Sequence, residues 1–375
     1  MKILLTGSGT GGHFYPLIAV ADELTRRAKD QHLIPPQLYF MGPHPYDETA
    51  LLEHNITFTR ISAGKIRRYV SVWNITDTVK TFFGIVRALF AVYRIFPDVI
   101  FSKGGYTSFP VMVAARILRI PVVIHESDSK PGRANLYAAK FAEKIAISYP
   151  AAAEYFPQEK VALTGNPVRR SILKPHTTGA REYLHLEART PVVLFLGGSQ
   201  GAKRINETLL DALPDLVKAY EIIHQTGKAH IDDVKKTASV ILKDNPHESR
   251  YHAFPYLNDL AMKMAAGVAN VVVSRAGSTI FEIATWGTPS IILPLSSDVS
   301  HDQIHNAINY ARSGACVVVE DENLTPNVLT TNLTRILESK EEQLTMMKAA
   351  KSFARFDAAE KIADALLEIG LRHEK

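Results

Sequence analysis

Short runs of mostly apolar residues, typical of strands, alternate with longer stretches of helical periodicity along the first half of the chain. The apolar runs lie at residues 2–6, 38–42, 99–103, 122–125 and 144–148. Runs of this length predict strands, and the segments between them have the spacing of helices. Strands that alternate with helices form a parallel sheet. The first half therefore predicts an α/β domain.

The same alternation restarts after a stretch that is interrupted by prolines. Further strand-like runs lie at residues 192–196, 221–225, 271–274, 290–293 and 316–319. Each half opens with a strand that leads directly into a glycine loop and a helix, KILLT-GSGTGG and VVLFL-GGSQGA. We predict two doubly wound, Rossmann-like domains, residues 1–165 and 166–340, that face each other across a cleft. Residues 341–375 are predicted as a C-terminal helix that packs back across the domains.

Length and composition agree with two domains and narrow the cellular setting. A chain of 375 residues, 46% hydrophobic and 22% charged, is longer than one core usually serves. Its single cysteine, Cys316, excludes a disulfide framework and a cysteine-based zinc site. A glycine loop stands where a signal peptide would have its apolar core, so we expect a cytosolic protein. The formal charge of +5 favours anionic partners.

The first glycine loop has the spacing of a dinucleotide-binding fingerprint, with Gly7, Gly9 and Gly12. A dehydrogenase would also need an acidic residue at the end of the second strand, and residues 41–43 read Met-Gly-Pro instead. His13 stands at the predicted helix start, where backbone N–H groups favour developing negative charge. It is predicted to be a base or an anion-orienting group, or else a histidine that only caps or packs.

Two further glycine segments follow predicted strands. In residues 197–201, GGSQG, small residues let backbone N–H groups approach a diphosphate, and the Ser199 hydroxyl adds a donor. The loop lacks the lysine of a P-loop, so a nucleoside diphosphate leaving group is favoured over a kinase or ATPase. A tight turn without a ligand is the alternative. Gly104 and Gly105, before Tyr106, would add a third face to the cleft.

Residues 64–96 combine bases with aromatic residues in the manner of an interfacial helix. The bases are Lys65, Arg67, Arg68, Lys80, Arg87 and Arg94, and the large apolar residues include Trp73, Phe82, Phe83, Leu89, Phe90 and Tyr93. We predict that this segment docks on the anionic inner leaflet of the membrane. The alternative is a crossover helix that buries its apolar face on the sheet. Nucleic-acid binding is not expected, because bases and aromatic residues interleave only here.

Six segments, in this order along residues 6–306, resemble the MurG family of N-acetylglucosaminyltransferases: GTGGHFYP, GGYTSFP, HESDSKPGRAN, TGNPVR, GGSQGA and SRAGSTIFEIATWGTPSIILP. The resemblance implies a GT-B glycosyltransferase fold and transfer of GlcNAc from UDP-GlcNAc. It implies undecaprenyl-diphosphate-linked MurNAc-pentapeptide, a lipid-linked precursor of peptidoglycan, as the acceptor. Inversion at the anomeric carbon would give a β-1,4 link, and the enzyme would be peripheral at the cytoplasmic face of the plasma membrane.

The resemblance also assigns residues to the two substrates. For UDP-GlcNAc it implies Thr10, Gly11, Gly12, Asp128, Arg169, Ser199, Leu257, Glu282 and Gln303. For the acceptor and its diphosphate it implies the loops with Gly104, Gly105, Tyr106 and Asn135. Arg169 can neutralise the departing diphosphate, and Glu282 can accept two hydrogen bonds from a ribose diol. Thr279 precedes Glu282 by three residues, so a capping box is a second interpretation of Glu282.

The chemistry requires a base, and His13 and Glu126 are the candidates. The sequence contains no Asp-x-Asp motif, so neither a metal nor another cofactor is expected. Two positions depart from the pattern of some members: Asp128 stands in place of an asparagine, and Asp302 and Gln303 replace paired glutamines. A related glycolipid glycosyltransferase, a UDP-GlcNAc epimerase and a non-catalytic nucleotide-sugar-binding protein are the competing interpretations.

Overall fold

The computed structural model describes residues 1–7, 9–64, 73–198, 202–296 and 301–372. The chain divides into two compact units. Unit 1 comprises residues 1–169 together with 355–375, and unit 2 comprises residues 170–354. The first crossing between units thus falls at residues 169 and 170, where the sequence predicted a boundary at 165 and 166.

Unit 1 contains a parallel sheet of seven strands. In chain order these are β1 (Lys2–Thr6), β2 (Gln37–Gly42), β3 (Ile56–Arg60), β4 (Val99–Ser102), β5 (Val122–Glu126), β6 (Lys144–Ile147) and β7 (Val161–Leu163). Their spatial order is β3-β2-β1-β4-β5-β6-β7. The direction of winding reverses between β1 and β4, which is where doubly wound sheets place their ligands.

Helices cover both faces of this sheet. They are α1 (Gly11–Asp30), α2 (Glu48–Glu53), α3 (Trp73–Ile95), α4 (Phe109–Leu118) and α5 (Arg133–Ala139). Two apolar clusters lie on the two sides of the sheet, one built on α1 and one on α3 and α4. Helix α3 packs closely against the backbone at Ser62, since a Cβ atom at Gly84 would stand only 1.9 Å from the Ser62 carbonyl oxygen.

Unit 2 contains a parallel sheet of six strands in the order β10-β9-β8-β11-β12-β13. The strands are β8 (Val192–Leu196), β9 (Glu221–Gln225), β10 (Tyr251–Phe254), β11 (Ala269–Ser274), β12 (Ser290–Ile292) and β13 (Cys316–Val318). The helices are α6 (Arg170–Leu173), α7 (Ala180–Tyr183), α8 (Lys203–Ala219), α9 (Ile231–Ile241), α10 (Asp259–Val268), α11 (Thr279–Trp286), α12 (His301–Ala311), α13 (Pro326–Glu338) and α14 (Lys340–Phe353). The doubly wound pattern therefore occurs twice, as predicted.

The C-terminal segment differs from the single helix predicted for residues 341–375. It forms two helices, α14 in unit 2 and α15 (Ala358–Gly370) in unit 1. They are separate because Ala354, which follows α14, has extended backbone angles. Helix α15 packs on α1, where Arg27 makes a two-pronged ion pair with Asp364 at 2.7 and 2.8 Å. The end of the chain is thus an integral part of unit 1.

The sequence analysis did not predict three of the strands, β3, β7 and β10. Each lies at the edge of a sheet. Their residues are only partly buried, and a four-residue strand such as β10 has no fully buried position. Edge strands need no continuous apolar run, so the sequence pattern that reveals central strands is absent.

Candidate functional site

The first glycine loop leads into α1 at the carboxyl end of β1. Thr10 is the N-cap residue, with extended backbone angles, and its carbonyl oxygen accepts from the N–H groups of His13 and Phe14. Gly11 and Gly12 form the first helical residues. The Thr10 hydroxyl lies 2.9 Å from Nδ1 of the half-buried His13. The predicted loop thus holds an imidazole at a helix N-terminus and fixes it through one ring nitrogen.

The environment of His13 keeps its imidazole neutral. Burial, followed by the positive charge of Lys103, lowers the pKa of His13 to about 4. A neutral imidazole can accept a proton at neutral pH. If Nδ1 donates its proton to the Thr10 hydroxyl, the lone pair of Nε2 is available to a substrate.

A buried polar cluster lies behind His13 at the ends of β4, β5 and β7. Lys103 Nζ is 2.7 Å from His125 Nδ1 and 2.7 Å from Asn166 Oδ1. His125 Nε2 is 2.9 Å from the Gly165 carbonyl oxygen, so it carries the proton and Nδ1 accepts from the ammonium. Burial, and then the charge of Lys103, lower the pKa of His125. The sequence analysis assigned no role to Lys103, which immediately precedes the GGYTSFP segment, or to Asn166, which lies within TGNPVR.

Glu126 follows His125 on β5 and is almost completely buried. Its carboxylate accepts from the Asp128 N–H at 2.9 Å, the Gly132 N–H at 3.1 Å and the Asn135 amide at 2.9 Å. Burial, and then the nearby charge of Asp128, raise the pKa of Glu126. The two candidate bases therefore differ: His13 is half-buried, whereas Glu126 is almost completely buried and organises the loop of residues 127–132.

The predicted acceptor loop packs against this cluster. Gly104 and Gly105 have φ angles of +80° and +82°, which residues other than glycine rarely adopt. A Cβ atom at Gly104 would stand 2.7 Å from the Asn135 side chain. The buried Asn135 amide also donates to the His125 carbonyl oxygen at 3.0 Å. Tyr106 follows and is 43% exposed, so the loop presents one aromatic side chain to solvent.

Arg169 lies beside α1 at the end of unit 1. Its guanidinium stands 3.9 Å from the centre of the Tyr15 ring, two residues beyond His13. The Tyr15 hydroxyl donates to Asp47 at 3.2 Å. This stacking holds the permanent positive charge of Arg169 beside the first turns of α1. A diphosphate bound there would also meet the N–H groups of the helix N-terminus.

The donor residues predicted in unit 2 lie after successive strands. Gln303, on α12, accepts from the Leu295 N–H at 3.1 Å. Leu257 is buried, and its N–H donates to Gln225 Oε1 at 3.0 Å. Glu282 lies half-buried in the first turn of α11. Ser199 lies outside the described residues, as do Lys65, Arg67 and Arg68 of the predicted membrane segment.

The capping-box interpretation of Glu282 is wrong. Helix α11 begins at Thr279, so the N-cap position falls on Ser278, whose side chain makes no capping hydrogen bond. A capping box requires the hydroxyl at the N-cap and the carboxylate three residues later. Glu282 therefore does not form the predicted capping box, and it lies near the N-terminus of α11.

Family comparisons agree with the two units. Residues 3–147 match the glycosyltransferase family 28 N-terminal domain, and residues 192–362 match the family 28 C-terminal domain. A Bacillus thuringiensis protein named UDP-N-acetylglucosamine–N-acetylmuramyl-(pentapeptide) pyrophosphoryl-undecaprenol N-acetylglucosamine transferase 2 is 36% identical over 350 residues, which is 92% of this chain and 94% of that protein.

Solved structures give the same result. The crystal structure of Acinetobacter baumannii MurG superposes with a TM-score of 0.72 at 26% identity, over 98% of this chain and 99% of that one. A UDP-N-acetylglucosamine 2-epimerase superposes with a TM-score of 0.68 at 14% identity, over 100% of this chain and 97% of that one, which shows the fold alone. The two-domain GT-B architecture and the resemblance inferred from the six motifs are thereby confirmed. The chain belongs to glycosyltransferase family 28, and within it to the MurG family.

Proposed function

We propose that this protein transfers GlcNAc from UDP-GlcNAc to the C4 hydroxyl of MurNAc in undecaprenyl-diphosphate-MurNAc-pentapeptide, with inversion at the anomeric carbon. The observation that carries the proposal is the 36% identity to a transferase of that name over 92% of this chain and 94% of the relative. The neutral imidazole at the N-terminus of α1 supplies the group that such a reaction needs.

The chemistry is a single displacement. The C4 oxygen of the acceptor forms a bond to the anomeric carbon while the bond from that carbon to the diphosphate breaks, and its electron pair leaves with UDP. The acceptor hydroxyl loses its proton, and His13 Nε2 is the base that we assign to it. Thr10 orients the ring through Nδ1, at 2.9 Å. Arg169 and the N–H groups of Gly11 and Gly12 are placed in unit 1 where they suit the charge on the diphosphate.

We assign the nucleotide to unit 2. Glu282 on α11 would accept from the ribose hydroxyls, and Leu257 would pack at the uracil. Gln303 and Ser199 complete the predicted donor set. The Gln225 side chain accepts from the Leu257 N–H at 3.0 Å and Gln303 accepts from the Leu295 N–H at 3.1 Å, so side chains of unit 2 hold the backbone at both positions.

We also propose that α3 docks unit 1 on the anionic, cytoplasmic surface of the membrane. The inner face of α3, with Ala88 and Val92, belongs to the apolar core. Its outer face is apolar as well: the side chains of Phe82, Phe83, Phe90 and Tyr93 are 60–73% exposed. Arg87 and Arg94 are exposed on the same helix. Exposed aromatic residues beside bases favour an interfacial location.

In the described part of the chain, no helix is long and apolar enough to cross a membrane.

The transfer is tested by measuring UDP release from UDP-GlcNAc with and without a lipid-diphosphate-linked MurNAc-pentapeptide. We expect release that requires the acceptor and that is much slower with UDP-glucose. Release without acceptor would indicate hydrolysis or epimerisation. Tight UDP-GlcNAc binding without release would indicate a sensor, and either result would overturn the proposal.

Membrane docking is tested by sedimentation with phosphatidylcholine vesicles that contain or lack phosphatidylglycerol. We expect the double variant Phe82→Ser/Phe90→Ser to lose about tenfold or more in bound fraction, since each buried aromatic side chain contributes about 1.5–3 kcal/mol. Ile34→Ser/Leu52→Ser is the matched control, because both residues are exposed in unit 1 but lie off α3. Equal losses in the two double variants would remove α3 from the docking surface.

A further inference from the structure

A lysine is buried in unit 1 directly before the acceptor loop. Lys103 is 1% exposed. Burying an ammonium group costs several kcal/mol unless hydrogen bonds compensate. Its two hydrogen bonds run to groups without charge, the neutral His125 imidazole and the Asn166 amide oxygen. A methionine would fill similar space without the desolvation cost, so stability alone does not explain a lysine here.

The ammonium joins the segments that carry the predicted site. Lys103 follows β4 and leads into Gly104, His125 lies on β5 beside Glu126, and Asn166 lies in the loop after β7, three residues before Arg169. The first glycine loop lies against the same side chain, because a Cβ atom at Gly7 would stand 3.1 Å from Lys103 Cβ. Four strand-end segments thus meet at one side chain.

We propose that Lys103 is a positioning residue for the transfer reaction: its buried ammonium fixes these strand-end loops in register, and its charge stands behind the His13 imidazole. This inference rests on the proposed function. Lys103 is too deeply buried to touch substrate, so it acts through His13 and through the loops that it holds.

Charged and titratable groups surround this pair on each side. His13 faces Lys103 and His125, and Lys103 also lies near the carboxylates of Glu126 and Asp128. Burial lowers the pKa of Lys103, while the two carboxylates oppose that shift. In the acid range the lysine is protonated, and its charge there opposes protonation of His13. A base must be unprotonated to act, so the lysine extends activity to lower pH.

The test compares Lys103→Met, which removes both charge and hydrogen bonds, with Lys103→Gln, which removes charge but keeps an amide that can donate. We measure kcat and KM for UDP-GlcNAc between about pH 4 and 8. Without the positive charge the pKa of His13 rises from about 4, so the acid limb should lie about half a pH unit or more higher in both variants than in the wild type. At neutral pH we expect Lys103→Met to lose about tenfold in kcat, Lys103→Gln to lose less, and KM to stay within about threefold.

Lys144→Met is the matched control. Lys144 lies on β6 in the same sheet and pairs with Glu368 at 2.6 Å, away from the cluster. It should leave both kcat and the pH profile unchanged. Wild-type protein that shows no acceptor-dependent release would contradict the proposed function itself. An active wild type whose Lys103 variants fold and keep its kcat and pH profile would overturn the present inference alone.

If neither Lys103 variant folds, NMR of the wild-type protein still tests the inference. Nitrogen-15 NMR of the imidazoles should find His125 with its proton on Nε2, as the 2.9 Å contact to Gly165 requires. It should also find His13, identified by its loss in His13→Ala, neutral down to about pH 5. A His13 that titrates at the ordinary histidine pKa, or a His125 protonated on Nδ1, would overturn the inference.

Discussion

Units 1 and 2 have the same doubly wound topology but treat buried charge differently. In unit 2, a cationic side chain meets a carboxylate directly, since Arg275 pairs with Asp321 at 2.7 Å, and the Glu221 carboxylate lies 2.8 Å from the His252 imidazole. In unit 1, Lys103 and Glu126 are more deeply buried than Arg275 and Asp321, yet the hydrogen bonds of each run to uncharged groups. A directly paired charge has its field cancelled nearby, whereas a charge held by dipoles acts on its surroundings. The difference indicates that unit 1 supplies the proton chemistry and unit 2 a binding surface.

The largest effect should follow removal of the assigned base. His13→Ala should lower kcat about 10²–10⁴-fold, the usual contribution of general base catalysis, while UDP-GlcNAc affinity stays within about threefold. Steady-state UDP release and calorimetric titration measure the two quantities.

His54→Ala is the control for this variant. His54 also lies in unit 1 and is 2.8 Å from Asp22, but it follows α2 rather than the glycine loop. A His13→Ala enzyme that retains more than a tenth of wild-type kcat would transfer the assignment to another group, with Glu126 the first candidate.

A donor-side change in unit 2 should give a smaller effect of a different kind. Glu282→Gln keeps the shape of the side chain but exchanges charge-assisted hydrogen bonds to a ribose diol for neutral ones, worth about 1–2 kcal/mol. We expect KM for UDP-GlcNAc to rise about tenfold with kcat changed less than threefold. A loss confined to kcat would place Glu282 in the chemistry and would weaken the division between the units.

The pH dependence separates the two candidate bases. With the pKa of His13 near 4, the imidazole is already neutral at pH 6, so kcat/KM should stay level between pH 8 and about pH 5.5. Glu126, whose pKa is raised by burial, would instead give an activity that falls within this range as the carboxylate becomes protonated. The profile is measured as initial rates of UDP release in buffers of constant ionic strength. A kcat/KM that falls as the pH is lowered from 8 to about 5.5 would favour Glu126.

The sequence was sufficient to predict the central strands of both sheets, but it was insufficient to predict the side-chain contacts that determine the chemistry. Central strands such as β1 and β8 were predicted to the residue, because burial on both faces requires a continuous apolar run. The role of Lys103 was not predicted, although the GGYTSFP segment that follows it was quoted, because burial of a lysine depends on residues 22 and 63 positions away. The capping box at Glu282 failed for a similar reason: the motif was present, but the helix began one residue too early for Thr279 to be its N-cap.

The smallest expected effect on activity comes from a buried asparagine of unit 2. Asn206 on α8 accepts from His224 at 3.0 Å and donates to the Thr226 carbonyl oxygen at 3.1 Å. Burial lowers the pKa of His224 to about 3, so this network contains no charge. Asn206→Ala leaves two buried polar groups without partners and should lower the free energy of unfolding by about 1–3 kcal/mol.

Asn166→Ala is the counterpart in unit 1, since Asn166 is also 3% exposed and holds a buried cation. Thermal unfolding should show similar losses of stability for the two variants. Activity should differ: kcat should stay within about twofold for Asn206→Ala and fall about tenfold for Asn166→Ala, because only the second loosens the charged cluster behind His13. Equal losses of kcat would mean that the buried polar networks of the two units have the same role. The two networks would then differ only in the residues that form them.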